Sequence, residues 1–176
     1  MDVDEVLFNF MLNSNIQDIK KLCLTNKKAN NICRNSYFWE TKLIKDNLFL
    51  SNDMEKSMRA YDKLYKLRLL DLAATILNET EIITFNFSKN DDILYLLPPR
   101  LVEEINEIYN DIDGEQELTF SSAYAHQGMY ELIYMIYDNN PMENEEIEIR
   151  SNLSEMKSIM ATIFYDFPHV SYDIIE

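Results

Sequence analysis

The chain has 176 residues, 47% of them apolar, and a formal charge of −15. That is enough apolar material for one ordinary domain or two small ones, and too much for a disordered chain. No apolar run approaches the ~20 residues that cross a bilayer. The acidic opening Met1-Asp2-Val3-Asp4-Glu5 is unlike the basic start of a secretory leader, so an intracellular, cytoplasmic protein is expected. The charge is divided: residues 1–70 hold 12 Lys/Arg against 9 Asp/Glu, and residues 71–176 hold 4 against 22. An asymmetry of this kind predicts two modules with different partners. The acid of the second half argues against nucleic acid, whose binding needs phosphate neutralisation, and against an anionic membrane surface. Cys23 and Cys33 fall on apolar-face positions and read as reduced core thiols.

In chain order, Glu5 to Met11 reads as a helix with Val6, Leu7, Phe10 and Met11 on its apolar face. Ser14-Asn-Ile-Gln17 has capping-box spacing and predicts a second helix carrying Ile16, Ile19, Leu22 and Cys23. Asn26 predicts a cap for a third piece with Ala29, Ile32 and Cys33, and Phe38-Trp39 opens a fourth with Leu43. Asn52-Asp-Met-Glu55 repeats the capping spacing before a long helix reaching about Leu77. Alternation then replaces the helical period. Glu81–Phe87 predicts a strand, and Ile93–Leu97 a second, ended by Pro98-Pro99. Pro99 suits the first turn of a helix that Gly114 would stop. Residues 117–121 predict a strand and 122–138 a helix through Tyr130, Ile133, Ile136 and Tyr137. Glu146–Arg150 alternates again, Asn152-Leu-Ser-Glu155 caps a further helix, and Val170–Ile175 predicts a last strand. The fold class expected is α+β: a small N-terminal helical module joined by a long helix to a C-terminal domain built on a mixed α/β sheet. No repeat periodicity is visible.

The residues that carry an identity lie at the start. Glu5, Val6-Leu7, Phe10-Met11, Asp18-Ile19, Leu22, Leu24, Asn26-Lys27-Lys28 and Ile32 follow the order of the F-box pattern, without a gap from Glu5 to Cys33, and Phe38-Trp39 match its closing pair. There an acidic residue precedes paired apolar positions, an Ile-Leu pair, an acidic-Leu dipeptide, a polar basic turn and a final Leu-Trp. Residues 1–48 thus resemble an F-box. The segment departs from the family in having Asp2-Val3 for Leu-Pro, Ser14 for an apolar residue and Ala29 for Trp. In its divergence it is similar to F-box-like proteins of large DNA viruses, which would place it in a host cytoplasm.

The resemblance implies an adaptor and not a catalyst. Its partner-binding residues would be Val6, Leu7, Phe10, Met11, Ile19, Leu22, Lys27, Lys28, Phe38 and Trp39, and its partner a Skp1-type subunit of a ubiquitin ligase. Residues 49–77 would form the connecting helix, and the acidic α+β domain of 78–176 would present a target protein. Composition alone predicts a docking patch, because helices this short bury little core and some apolar side chains should remain exposed. The resemblance implies an acidic partner, which Lys20, Lys21, Lys27 and Lys28 would suit. The alternative is a non-enzymatic structural or interaction protein of a viral particle or host complex, in which these residues are ordinary core.

Catalytic patterns are absent from the linear sequence. His126 and His169 are the only histidines, and the cysteines lack the spacing and histidines of a zinc site. Two glycines cannot build a phosphate loop. Glu103-Glu104 and Glu145-Glu146 are neighbours that point in different directions. No cofactor, metal or catalytic residue is expected. The tyrosines at 124, 130, 134 and 137 read as a core stripe before a recognition surface.

Overall fold

The computed structural model describes residues 3–51, 54–108, 114–137 and 146–175. The chain divides into two compact units, Met1–Arg68 and Leu69–Glu176, and the fold is α+β. The charge asymmetry follows the same division. The first unit carries net +3 and the second net −18.

The first unit contains α1 (Val3–Asn13), α2 (Ile16–Thr25), α3 (Lys27–Cys33), α4 (Ser36–Lys45) and the opening turns of α5 (Met58–Glu79). Asparagines start three of these helices. Asn15 accepts from the Asp18 N–H, Asn26 from those of Lys28 and Ala29, and Asn35 from that of Tyr37. Each satisfies donors that a first helical turn leaves without partners. The second cap is therefore Asn15 and not Ser14, whose hydroxyl donates back to the Phe10 carbonyl. Asn52 lies outside the described residues, and α5 begins later than its capping spacing suggested, at Met58. Met11, Leu12, Ile16, Ile19, Ala29, Phe38, Trp39, Leu43 and Tyr61 make the core of this unit. Cys23 and Cys33, expected as separate thiols, are joined as a disulfide between α2 and α3, with Cα atoms 6.3 Å apart. The tight turn at Asn26 folds α3 back on α2 and brings them within disulfide reach.

The second unit is built on five antiparallel strands: β1 (Ile82–Phe87), β2 (Glu115–Ser121), β3 (Met129–Tyr137), β4 (Glu146–Asn152) and β5 (Ser171–Ile175), in the order β4-β3-β2-β1-β5. Alternation sets the two faces. Phe85, Leu118, Tyr134 and Ile147 lie in one row of paired residues on the buried face, while Thr84, Thr119, Ile133 and Glu148 lie on the other. The sheet is wholly antiparallel.

Among the described residues, the rest of α5 from Leu69 onward, α6 (Pro99–Ile108) and α7 (Leu153–Asp166) are the α-helices of this unit. α7 packs on β3 and β4, and α6 beside β4. Phe85 meets Phe120, Phe164 and Tyr172 ring to ring. Asn152 caps α7 through the Glu155 N–H, as its sequence spacing predicts.

Three segments differ from expectation. Residues 94–96 form a 3-10 turn, not a strand, and the Leu96 and Leu97 N–H groups donate back to the Ile93 and Leu94 carbonyls instead of to a neighbouring strand. Residues 122–138, expected as a helix, hold a turn at Ala125–Gln127 and then β3. Tyr130, Leu132, Tyr134 and Ile136 are buried in strict alternation, and Gly128 makes the turn at φ +73°. Gly114, expected to stop a helix, is buried just ahead of β2 and stands against Tyr137.

Candidate partner-docking site

The ten residues that the F-box resemblance singles out divide by environment. Met11, Ile19, Phe38 and Trp39 are buried in the first unit's own core and cannot touch a partner while it is folded. Leu7 and Leu22 are half-buried. Val6 and Phe10 are exposed, at 44% and 57%, and Lys27 and Lys28 are exposed in the turn and first residues of α3. Lys28 reaches the Asp4 carboxylate at 2.6 Å.

The geometry of α1 explains this division. Phe8, Met11 and Leu12 occupy one side of the helix by its 3.6-residue period, and Phe8 packs edge-on against Phe38. Val6 and Phe10, one turn apart, occupy the opposite side. Thus α1 is apolar on both faces, with only one turned to its own core. An outward apolar stripe on a short helix is the form of a helix-in-groove contact.

A polar cluster that sequence reasoning missed holds α1 in this orientation. The buried Lys42 ammonium donates to the carbonyls of Leu12 and Ser14, at 3.0 and 2.9 Å, and pairs with Asp46 Oδ2 at 2.9 Å. A cation suits this place, at the carbonyl end of α1. The same Asp46 oxygen accepts from the Tyr61 hydroxyl at 2.6 Å. Burial, then the hydrogen bond to Asp46, pushes the Tyr61 phenol far above its ordinary range. The Tyr61 ring lies 5.6 Å from that of Trp39, whose indole N–H donates to the Cys33 carbonyl. One signal was available in the sequence: Lys42 is four residues before Asp46, the spacing of a helical ion pair. Nothing in linear order marks such a pair as buried.

In the second unit, Tyr130 and Tyr134 are core residues, Tyr124 stacks under Arg150, and Tyr137 is exposed. His126 is exposed in the turn before β3. Glu103 and Glu104 are exposed on α6, Glu146 is exposed on β4, and Glu145 is outside the described residues. Among the described residues, no group of three or more His, Cys, Asp or Glu side chains could hold a metal ion, and no helix is long and apolar enough to cross a membrane. Compared with family models, curated proteins and solved structures, the chain finds no match.

Proposed function

We propose that this protein is an F-box-like adaptor. Its first unit docks a Skp1-type subunit of a ubiquitin ligase, and its second unit presents a target protein. The observation that carries the reading is the outward apolar stripe of Val6 and Phe10 on α1, on the segment whose residue order resembles the F-box. Docking therefore runs through Val6 and Phe10, flanked by Leu7 and the exposed Lys27. The buried Met11, Ile19, Phe38 and Trp39 shape the helix bundle instead of touching the partner. The mechanism is proximity, since tethering raises the effective concentration of target lysines near a ligase.

The test is binding of the purified chain to a Skp1 homologue. Phe10→Asp should weaken it at least ~30-fold, the size of a lost hot spot. Because Phe10 is more than half exposed, the same change should leave stability within about 0.5 kcal/mol. A wild-type chain that does not bind at concentrations where known F-box modules do would sink the reading. The second reading, a structural or interaction protein of a viral particle or host complex, draws on the burial of four of the ten candidate residues. It predicts recovery of a stable complex that contains no ligase subunit.

A further inference from the structure

The sheet of the second unit has two edges, and they are treated differently. At β4, α6 packs alongside, and Arg100 donates to the Arg150 carbonyl of the strand itself. At β5 all five residues are exposed. Tyr172, Ile174 and Ile175 show 46%, 44% and 57% of their surface. The strand contains no Lys and no Pro, and its register with β1 runs unbroken from Ser171 to Ile175, so no bulge turns it away. Natural sheets guard their edges with such devices, because a bare apolar edge pairs with any compatible strand.

We propose that the β5 edge takes up an extended basic segment of another protein as a sixth strand. The charge of this unit chooses the occupant. With net −18, it attracts basic segments and repels acidic ones. A second copy is the poorer partner. Pairing about a twofold centred on the strand sets Asp173 against its own copy, and like charges directly opposite destabilise a pair. Asp173 thus guards against self-association while favouring Lys or Arg across from it. Alternation on β5 sets the rest of the preference. Tyr172 and Ile174 project to the face where Phe85 and Phe164 lie, and Asp173 projects to the other. The fitting segment therefore alternates apolar with basic residues.

A cleft of about 400 Å³ opens where β5 begins, lined by Asn86, Asp91, Asp166, Phe167, His169 and Ser171 among others. Asp91 accepts from the Ser88 N–H, and Asp166 from the Tyr95 hydroxyl. Two fixed carboxylates beside an open edge suit one further basic side chain, reaching past the end of the new strand.

This deepens the adaptor reading, resting on it only for calling the bound segment a target. The experiment needs no ligase subunit. A labelled ten-residue peptide alternating Lys with Val is titrated into the full chain, beside one alternating Glu with Val and a Lys-Val peptide with Pro at alternate positions. The Lys-Val peptide should bind saturably and more weakly as salt rises. The other two should not bind. Asp173→Lys and Tyr172→Lys, each checked for an unchanged thermal melt, should each weaken binding about tenfold.

Hydrogen exchange on the wild-type chain reads the edge directly, and the amides of β5 should gain protection when peptide is present. Unchanged β5 exchange, equal binding of the Glu-Val peptide, or a dimer that Tyr172→Lys abolishes would each overturn the proposal. None of these outcomes bears on docking through Phe10.

Discussion

Removing the Lys42 ammonium would strip a partner from three oxygens at once, namely the carbonyls of Leu12 and Ser14 and the Asp46 carboxylate. Side-chain burial is nearly complete for Lys42 and partial for Asp46. Water can therefore rescue the carboxylate better than it can rescue the Leu12 carbonyl. Lys42→Ala should cost about 2–4 kcal/mol, below the loss from an ion pair buried at both ends. Urea unfolding followed by Trp39 fluorescence measures this, since Trp39 is the only Trp of the chain and lies in the same unit. A cost below about 0.5 kcal/mol, the ordinary level for a surface change, would show that the clamp does not hold α1. At this scale the sequence was legible for composition and opaque for direction. Val6, Leu7, Phe10 and Met11 all read as one apolar face, yet Met11 points inward and Phe10 outward. Apolar residues on two sides of α1 blur the periodic signal that would tell inward from outward.

At the scale of elements, caps were more legible than periods. Asn26 and Asn152 cap the helices their spacing predicts, because the Asx side chain and the backbone it serves are local. The segment 122–138 misled because Tyr130, Ile133, Ile136 and Tyr137 satisfy a helical spacing while Tyr130, Leu132, Tyr134 and Ile136 satisfy an alternating one. Tertiary context decided between them. β3 pairs with β2 on one side and β4 on the other, and a strand flanked twice gains more than its local preference alone would give. Gly114 misled for a related reason, since its requirement comes from a residue 23 positions away. A Cβ there would stand 2.5 Å from the Tyr137 carbonyl oxygen and 2.7 Å from Ile136 Cγ2. Gly114→Ala must push β3 away from the start of β2. The expected cost is about 1–3 kcal/mol, as for other overpacked positions, seen as a lowered midpoint in far-UV circular dichroism. An unchanged or raised midpoint would mean the strands give way freely and the close approach is incidental.

Over the whole molecule, phenols and carboxylates meet repeatedly, and this couples stability to alkaline pH. Tyr61 and Tyr65 in the first unit, and Tyr95 and Tyr137 in the second, all have phenols raised above their ordinary range. Burial is the first cause for each. Hydrogen bonds to Asp46, Asp166 and Glu117 follow for Tyr61, Tyr95 and Tyr137, and the Asp46 charge for Tyr65. Unfolded, each phenol ionises near ~10. Above that pH the native chain holds protons the unfolded chain has released, so stability falls as pH rises. The contribution is whole below about pH 10 and is lost as pH climbs toward the raised native values. The surplus acid of the second unit adds to the effect, because each new phenolate joins an already negative surface. Tyr61 is the most deeply buried of the four and should dominate, while the exposed Tyr95 and Tyr137 are screened by solvent. Urea unfolding of the wild-type chain at about pH 8, 9.5 and 11, spanning the free phenol, should show the steepest loss in the last interval. Tyr61→Phe has no proton to lose at that position, so its stability should fall less over the same interval. Equal losses in the two chains would mean that the hydroxyl bound to Asp46 contributes nothing to the pH dependence.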